Sequence, residues 1–150
     1  MNNSTIKIRP MKAEDFDVVV AINEKIFSIP RREYYELKFE KLFKSKGYLP
    51  MSLVAEKEGG TVIGFIMGEL YIGEYGIFHE EARLDTICVD PDYQQKGIGG
   101  RLISEFMDHL RNKGVKKVNT LVDWNNAKMM HFFRENQFSP SKTINLERNL

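Results

Sequence analysis

One cysteine in 150 residues, Cys88, has no partner for an intrachain disulfide, so the fold rests on burial and suits a reducing compartment. No apolar run approaches the ~20 residues needed to cross a bilayer. The opening MNNSTIKIRPMKAEDF lacks the charged-then-apolar layout of a secretory leader. A cytoplasmic protein with no membrane partner is expected. Charge of one sign is missing too: 22 basic against 21 acidic residues leave a formal +1, no broad field for nucleic acid. His79, His109 and His131 lie far apart without ligand spacing, so no metal is expected. Internal repeats, low-complexity tracts and Ser/Pro linkers are absent. What is present, 42% hydrophobic and 29% charged residues, is the make-up of one globular domain over residues 1–150.

The pattern reads as alternating strands and helices. TIKIR alternates as an opening strand that Pro10 ends. Phe16, Val19, Val20, Ile26 and Phe27 recur at helical spacing, interrupted by polar Asn23 and stopped by Pro30. A second helix from Arg31 carries Tyr35, Phe39 and Leu42 on one face, with Gly47 past its end. MSLVAEKEGGTVIGFIMGELY is two strands around a tight turn at Glu58 to Thr61, where glycines take positive φ. A Gly-rich loop, GEYGIFHEEAR, precedes the strand LDTICVD, which Pro91 stops. Leu102, Ile103, Phe106 and Leu110 then form one helical stripe ending at Gly114. KKVNTLVDW, NNAKMMHFFREN and SKTINLERN follow as strand, helix and closing strand. The order β-α-α-β-β-β-α-β-α-β predicts an α/β fold with a mixed sheet and a right-handed parallel crossover.

The chemistry concentrates at VDPDYQQKGIGGRLI. Strand, turn, glycines and helix in that order present the helix's first N–H groups to an anion, with no Cβ at Gly97, Gly99 or Gly100 to hold a diphosphate away. Lys96 and Arg101 add charge nearby. A nucleoside-triphosphate loop requires Gly-Lys-Ser/Thr, and here Gly100-Arg101 follows Gly99. A dinucleotide fold places its GxGxxG at the first βα turn, with an acidic residue about 20 positions on; this loop lies two-thirds along the chain.

ICVDPDYQQKGIGGRLISEFMDHL resembles the acetyl-CoA-binding signature of the GCN5-related N-acetyltransferases (GNAT), Gln/Arg-x-x-Gly-x-Gly/Ala between the fourth strand and third helix. The resemblance covers essentially the whole chain. It implies a GNAT fold: a mixed sheet of six or seven strands splayed between strands four and five, flanked by four helices, with acetyl-CoA as acetyl donor and no metal. Carried over by position, the backbone of Ile87, Cys88 and Val89 pairs with the pantetheine arm. Gln94, Gln95, Lys96, Gly97, Ile98, Gly99, Gly100 and Arg101 hold the phosphates, chiefly through N–H groups. NAKMMHFFRENQF is similar to a later family segment and puts Asn126 and Phe133 at cofactor positions. Two departures stand out: Phe133 replaces a tyrosine able to protonate the leaving sulfur, and Gln137 replaces a glycine. With no hydroxyl at Phe133, water or direct thiolate departure must serve.

Acetyl transfer needs a deprotonated amine, a donor for the oxyanion and an exit for thiolate. Asp85 is the acid-base candidate, its alternative being to order a loop or pair with Arg83. If its strand is regular, it shares a face with Ile87 and Val89. The oxyanion donor is a backbone N–H of Val89 or Cys88. Where some relatives carry a strand-five glutamate this chain has Leu121; Asp123, two residues on, is the substitute, unless it caps the next helix. Glu69 and Glu74 are weaker candidates. Cys88, inside an apolar strand, reads as an inert thiol rather than an acyl carrier. Arg31, Arg32, Tyr34 and Trp124 are placed around the acceptor, a protein or peptide amine or a small amine. The rival reading is a domain that binds acyl-CoA as a sensor without turnover. The late strand SKTINLERNL admits a homodimer.

Overall fold

The computed structural model describes residues 5–44, 51–71 and 81–150, with the side chain of Tyr71 left aside. Gly47, Glu74, His79 and most of the loop expected over 73–83 lie outside the described residues; the last three residues of that loop, Glu81 to Arg83, are strand instead, the start of β4. The chain divides into two compact units, Met1–Thr120 and Leu121–Leu150.

The first unit is a five-stranded sheet in the order β1-β2-β3-β4-β5, formed by β1 (Lys7–Pro10), β2 (Leu53–Glu56), β3 (Val62–Tyr71), β4 (Glu81–Val89) and β5 (Lys117–Asn119). Neighbours are antiparallel except for β4 and β5, which are parallel. Gly59 and Gly60 take φ of 95° and 90° in the turn between β2 and β3, the left-handed region that glycine enters without a Cβ penalty. Helices α1 (Phe16–Phe27) and α2 (Arg32–Lys44) precede β2, and α3 (Ile98–Asn112) joins β4 to β5.

Two faces of the sheet are covered. Val19, Val20 and Ile22 of α1 and Tyr35, Phe39 and Leu42 of α2 pack with Val54, Phe65, Met67 and Cys88. On the other face α3 lies on glycines: a Cβ on Gly64 would stand 3.4 Å from Leu102, and one on Gly68 would stand 2.5 Å from the Phe106 ring. The apolar stripe of α3, Leu102, Ile103, Phe106 and Leu110, is fully buried, and Gly114 follows the helix at φ 80°. Ser28, at φ 54°, ends α1 two residues before the Pro30 expected to break it. No helix among the described residues is long and apolar enough to cross a membrane.

The second unit holds α4 (Ala127–Glu135). The expected closing strand over SKTINLERN is not formed: 141–149 carry no strand, with Ile144 and Leu146 more than 80% exposed. The sheet therefore has five strands among the described residues, not six or seven. β5 is also shorter than KKVNTLVDW implied. A period of two makes a segment able to pair, but a strand needs a neighbouring edge.

Candidate functional site

The open edge of β4 is the centre of the site. β5 pairs with β4 only from Glu81 to Arg83, and the Thr120 hydroxyl then donates to the Leu84 carbonyl at 3.0 Å. β5 ends at Asn119, and among the described residues β4 runs on from Asp85 to Val89 paired with β3 alone. This is the expected splay between the fourth and fifth strands. Asp90 N–H donates to Ile63 O of the β3 side at 2.8 Å. Backbone groups alternate sides along a strand, so the N–H groups of Val89 and Ile87 point to the open edge, while Cys88 points to its partner Phe65.

Asp85 departs from the regular pattern. Met67 pairs with Thr86 and Gly68 with Leu84, leaving Asp85 as the extra residue of a β-bulge. Asp85 and Thr86 in succession both meet α2: Lys38 Nζ lies 2.8 Å from Asp85 Oδ2, and Tyr35 lies beside Thr86 and Cys88. The face shared with Ile87 and Val89 that regular alternation predicts is thus not the one Asp85 takes. Both side chains of the ion pair are largely buried, 21% exposed for Lys38 and 11% for Asp85. Burial pulls the Lys38 ammonium down, but the bond and charge of Asp85, with Tyr34 and Glu69 nearby, together raise the group above its ordinary value.

The turn after β4 is built by Asp90. Its carboxylate accepts from Asp92 N–H at 3.0 Å and from Lys25 Nζ at 2.8 Å. Burial pushes this carboxyl up, yet Lys25 and the Asp92 amide hold it below the usual range. Gln94 Nε2 donates to Val89 O at 3.0 Å, tying the turn to the open edge. Gln95 and Gly97 both take left-handed φ, 63° and 77°, which swings the chain into α3. Ile98 is 2% exposed and anchors the helix start, whereas Gln95, Lys96 and Gly97 are exposed and Gly99, Gly100 and Arg101 partly so. No side chain caps α3, and its first ladder bond runs from Arg101 N–H to Gly97 O. The N–H groups of Ile98, Gly99 and Gly100 precede that bond and face outward as anion donors.

Just before α2 and along it, side chains lead toward the Lys38–Asp85 pair. The Arg31 guanidinium lies 4.4 Å from the Tyr34 ring centroid and 5.7 Å from that of Phe27, and Lys38 Nζ lies 5.6 Å from Tyr34. Arg32 turns away to Asp17 at 3.3 Å and Glu36 at 3.6 Å. Burial pushes the Cys88 thiol up to about 12, which leaves no thiolate at neutral pH for an acyl relay. Burial likewise raises Tyr35, whose hydroxyl donates to Asn23 Oδ1 at 2.9 Å. Lys38 and Asn23 carried no mark in the sequence as site neighbours, since their partners lie 47 and 12 positions away. Glu69 pairs with Lys41 at 2.7 Å.

In the second unit, Asp123 Oδ1 accepts from Asn125 N–H at 2.7 Å, closing a turn, and Asn126 Oδ1 caps α4 by accepting from Met129 N–H at 3.1 Å. Phe133 is buried edge-on to Phe132 and Phe138. Trp124 is 89% exposed.

Residues 17–138 match the acetyltransferase (GNAT) family. A mycothiol acetyltransferase of Propionibacterium freudenreichii subsp. shermanii is 25% identical over 145 residues, covering 92% of this chain and 44% of the relative. The chain thus spans less than half the length of that relative. An acetyltransferase of Yersinia pestis (strain Pestoides F) is 27% identical over 145 residues, covering 97% of this chain and 96% of the other. Among solved structures, the aminoglycoside N-acetyltransferase AAC(6')-Iy in complex with CoA superposes with a TM-score of 0.79 at 17% identity, over 96% of this chain and 94% of that one, a likeness of fold.

Proposed function

The chain belongs to the acetyltransferase (GNAT) family, and on that premise we propose that it transfers an acetyl group from acetyl-CoA to a primary amine by direct attack. The observation that carries this reading is the unpaired edge of β4, with the N–H groups of Ile87 and Val89 turned outward, leading straight into the uncapped start of α3. Those residues fit the donor. An extended amide-bearing arm can add to an open strand edge, and a diphosphate suits free helix N–H groups next to Lys96 and Arg101. Bound there, acetyl-CoA supplies a thioester carbonyl for attack.

The chain's own groups then have separate tasks. An N–H of Ile87 or Val89 stabilises the oxyanion as it develops. Asp85 accepts the proton of the incoming amine, directly or through water, while Lys38 holds the carboxylate in place. Arg31 and Tyr34 border the acceptor's approach. The roles of Asp123, Asn126, Phe133 and Trp124 rest on the family resemblance. One functional domain is our reading of the chain, because the family match runs from residue 17 to residue 138 and enters both units. Phe133, which offers no hydroxyl to the leaving sulfur, favours a second reading: CoA binding without turnover.

Thiol release from acetyl-CoA across peptide amines, free amino acids and polyamines, with binding followed calorimetrically in the same samples, separates the two. Acceptor-dependent release supports the transferase. CoA binding with no release from any acceptor would leave the sensor reading standing instead.

A further inference from the structure

Most cations around α1 and α2 face a carboxylate: Lys25 meets Asp90, Arg32 meets Asp17 and Glu36, Lys38 meets Asp85 and Lys41 meets Glu69. Arg31 has no carboxylate partner among the described residues. It is nevertheless partly buried and held in place, since its carbonyl accepts from Tyr35 N–H at 3.2 Å and its guanidinium packs on Tyr34 and Phe27. Aromatic rings occupy the faces of a guanidinium and leave its five N–H donors, which radiate in the plane, unsatisfied by that packing. Arg32 makes the contrast. It too lies over a ring, that of Phe16 at 4.9 Å, but it brings its own carboxylates.

Position gives the unspent donors a target. Arg31 shares the Tyr34 ring with Lys38, their charged ends 4.4 Å and 5.6 Å from its centroid, and Lys38 in turn holds Asp85 at 2.8 Å. Asp85 leads along β4 to Ile87 and Val89, whose N–H groups face the open edge. A fixed guanidinium beside that stretch matches a group with two coplanar oxygens, bound through two parallel N–H···O bonds. We propose that Arg31 binds a carboxylate of the acceptor, so that the acceptor class is an amine carrying a carboxylate, as in an α-amino acid, rather than a bare polyamine. This inference rests on the transferase reading for its consequence in catalysis, though not for the binding itself.

The test uses free α-amino acids, each paired with its own α-carboxamide, at saturating acetyl-CoA. The acid should exceed its amide in kcat/KM by about tenfold or more, the scale of losing charge-assisted hydrogen bonds. Arg31→Gln should erase that preference by raising KM for the acid, and leave KM for acetyl-CoA and the thermal midpoint unchanged; Arg31→Lys should restore part of it. Equal use of acid and amide by the unaltered protein, or equal losses on both in R31Q, overturns the proposal, and a raised KM for acetyl-CoA alone assigns Arg31 to the cofactor instead. Calorimetry of the same pairs on the CoA-saturated protein decides the matter if no thiol is released. Acid binding that R31Q abolishes upholds the Arg31 site while the transferase reading falls; no discrimination for any pair overturns the site.

Discussion

Lys38 Nζ on α2 lies 2.8 Å from Asp85 Oδ2, and the carboxylate reaches it because Asp85 is the bulged residue of β4. The bulge places an acid beside the open edge while turning it toward α2. One local irregularity thus couples the sheet's splay to the candidate proton acceptor.

Asp85→Asn should lower kcat on the best acceptor on the order of 10²-fold or more, with KM for acetyl-CoA little changed. Lys38→Met should instead act on stability, costing up to about 3 kcal/mol in urea denaturation by stranding a partly buried carboxylate. The double variant should recover part of that loss, since the two residues form one unit. Because the pair raises Lys38, its contribution is complete below the lysine's ordinary 10.5 and disappears as pH climbs through the raised value.

Tyr35→Phe removes the partner of Asn23 Oδ1 in a fully buried site where Asn23 Nδ2 already has none among the described residues. The expected cost is about 1–3 kcal/mol in equilibrium unfolding, the penalty of an unsatisfied buried amide. Combining it with Asn23→Leu should restore much of that, because removing both polar partners is far cheaper than removing one.

Gly68→Ala places a Cβ 2.5 Å from both the Arg83 carbonyl and the Phe106 ring. Backbone on one side and a core ring on the other leave little room to relax, so a loss of roughly 1–3 kcal/mol or more is expected. Gly59→Ala, with nothing within 4 Å and strain only from φ 95°, should cost less. Thermal melts of the two variants compare them directly.

Acid should unfold the protein through identifiable carboxylates. Burial pushes Asp15 up, but Arg9 and the Lys12 amide bring it below its ordinary 3.8, and Asp90 is lowered in the same sense. The unfolded chain takes up these protons first, so the stabilisation is present above about pH 4 and lost as pH falls through the depressed folded values. Arg9→Met, which removes the cation shared by Asp15 and Glu56, should flatten that part of the stability profile measured from pH 2 to 7.

Much of the site's outline was legible because it rests on local rules. Gly59 and Gly60 take the positive φ that their turn demands, and the stripe from Leu102 to Leu110 is buried as its spacing predicts. Val89 to Arg101 forms the strand, turn and helix start read from its order of residue types. Residues 141–149 are the counterexample, since the alternation there forms no strand.

The sequence by itself determined where the helices and most of the strands form, where the chain turns and where bare helix N–H groups meet an open loop, because these depend on side-chain period and backbone sterics within a few residues. Only the tertiary structure decided that Asp85 bulges toward Lys38, that Tyr35 closes over Asn23 and Cys88, and that Arg32 is paired where Arg31 is not. Each of those outcomes depends on which strand and helix come to lie side by side, and that is settled by packing between segments distant in the chain.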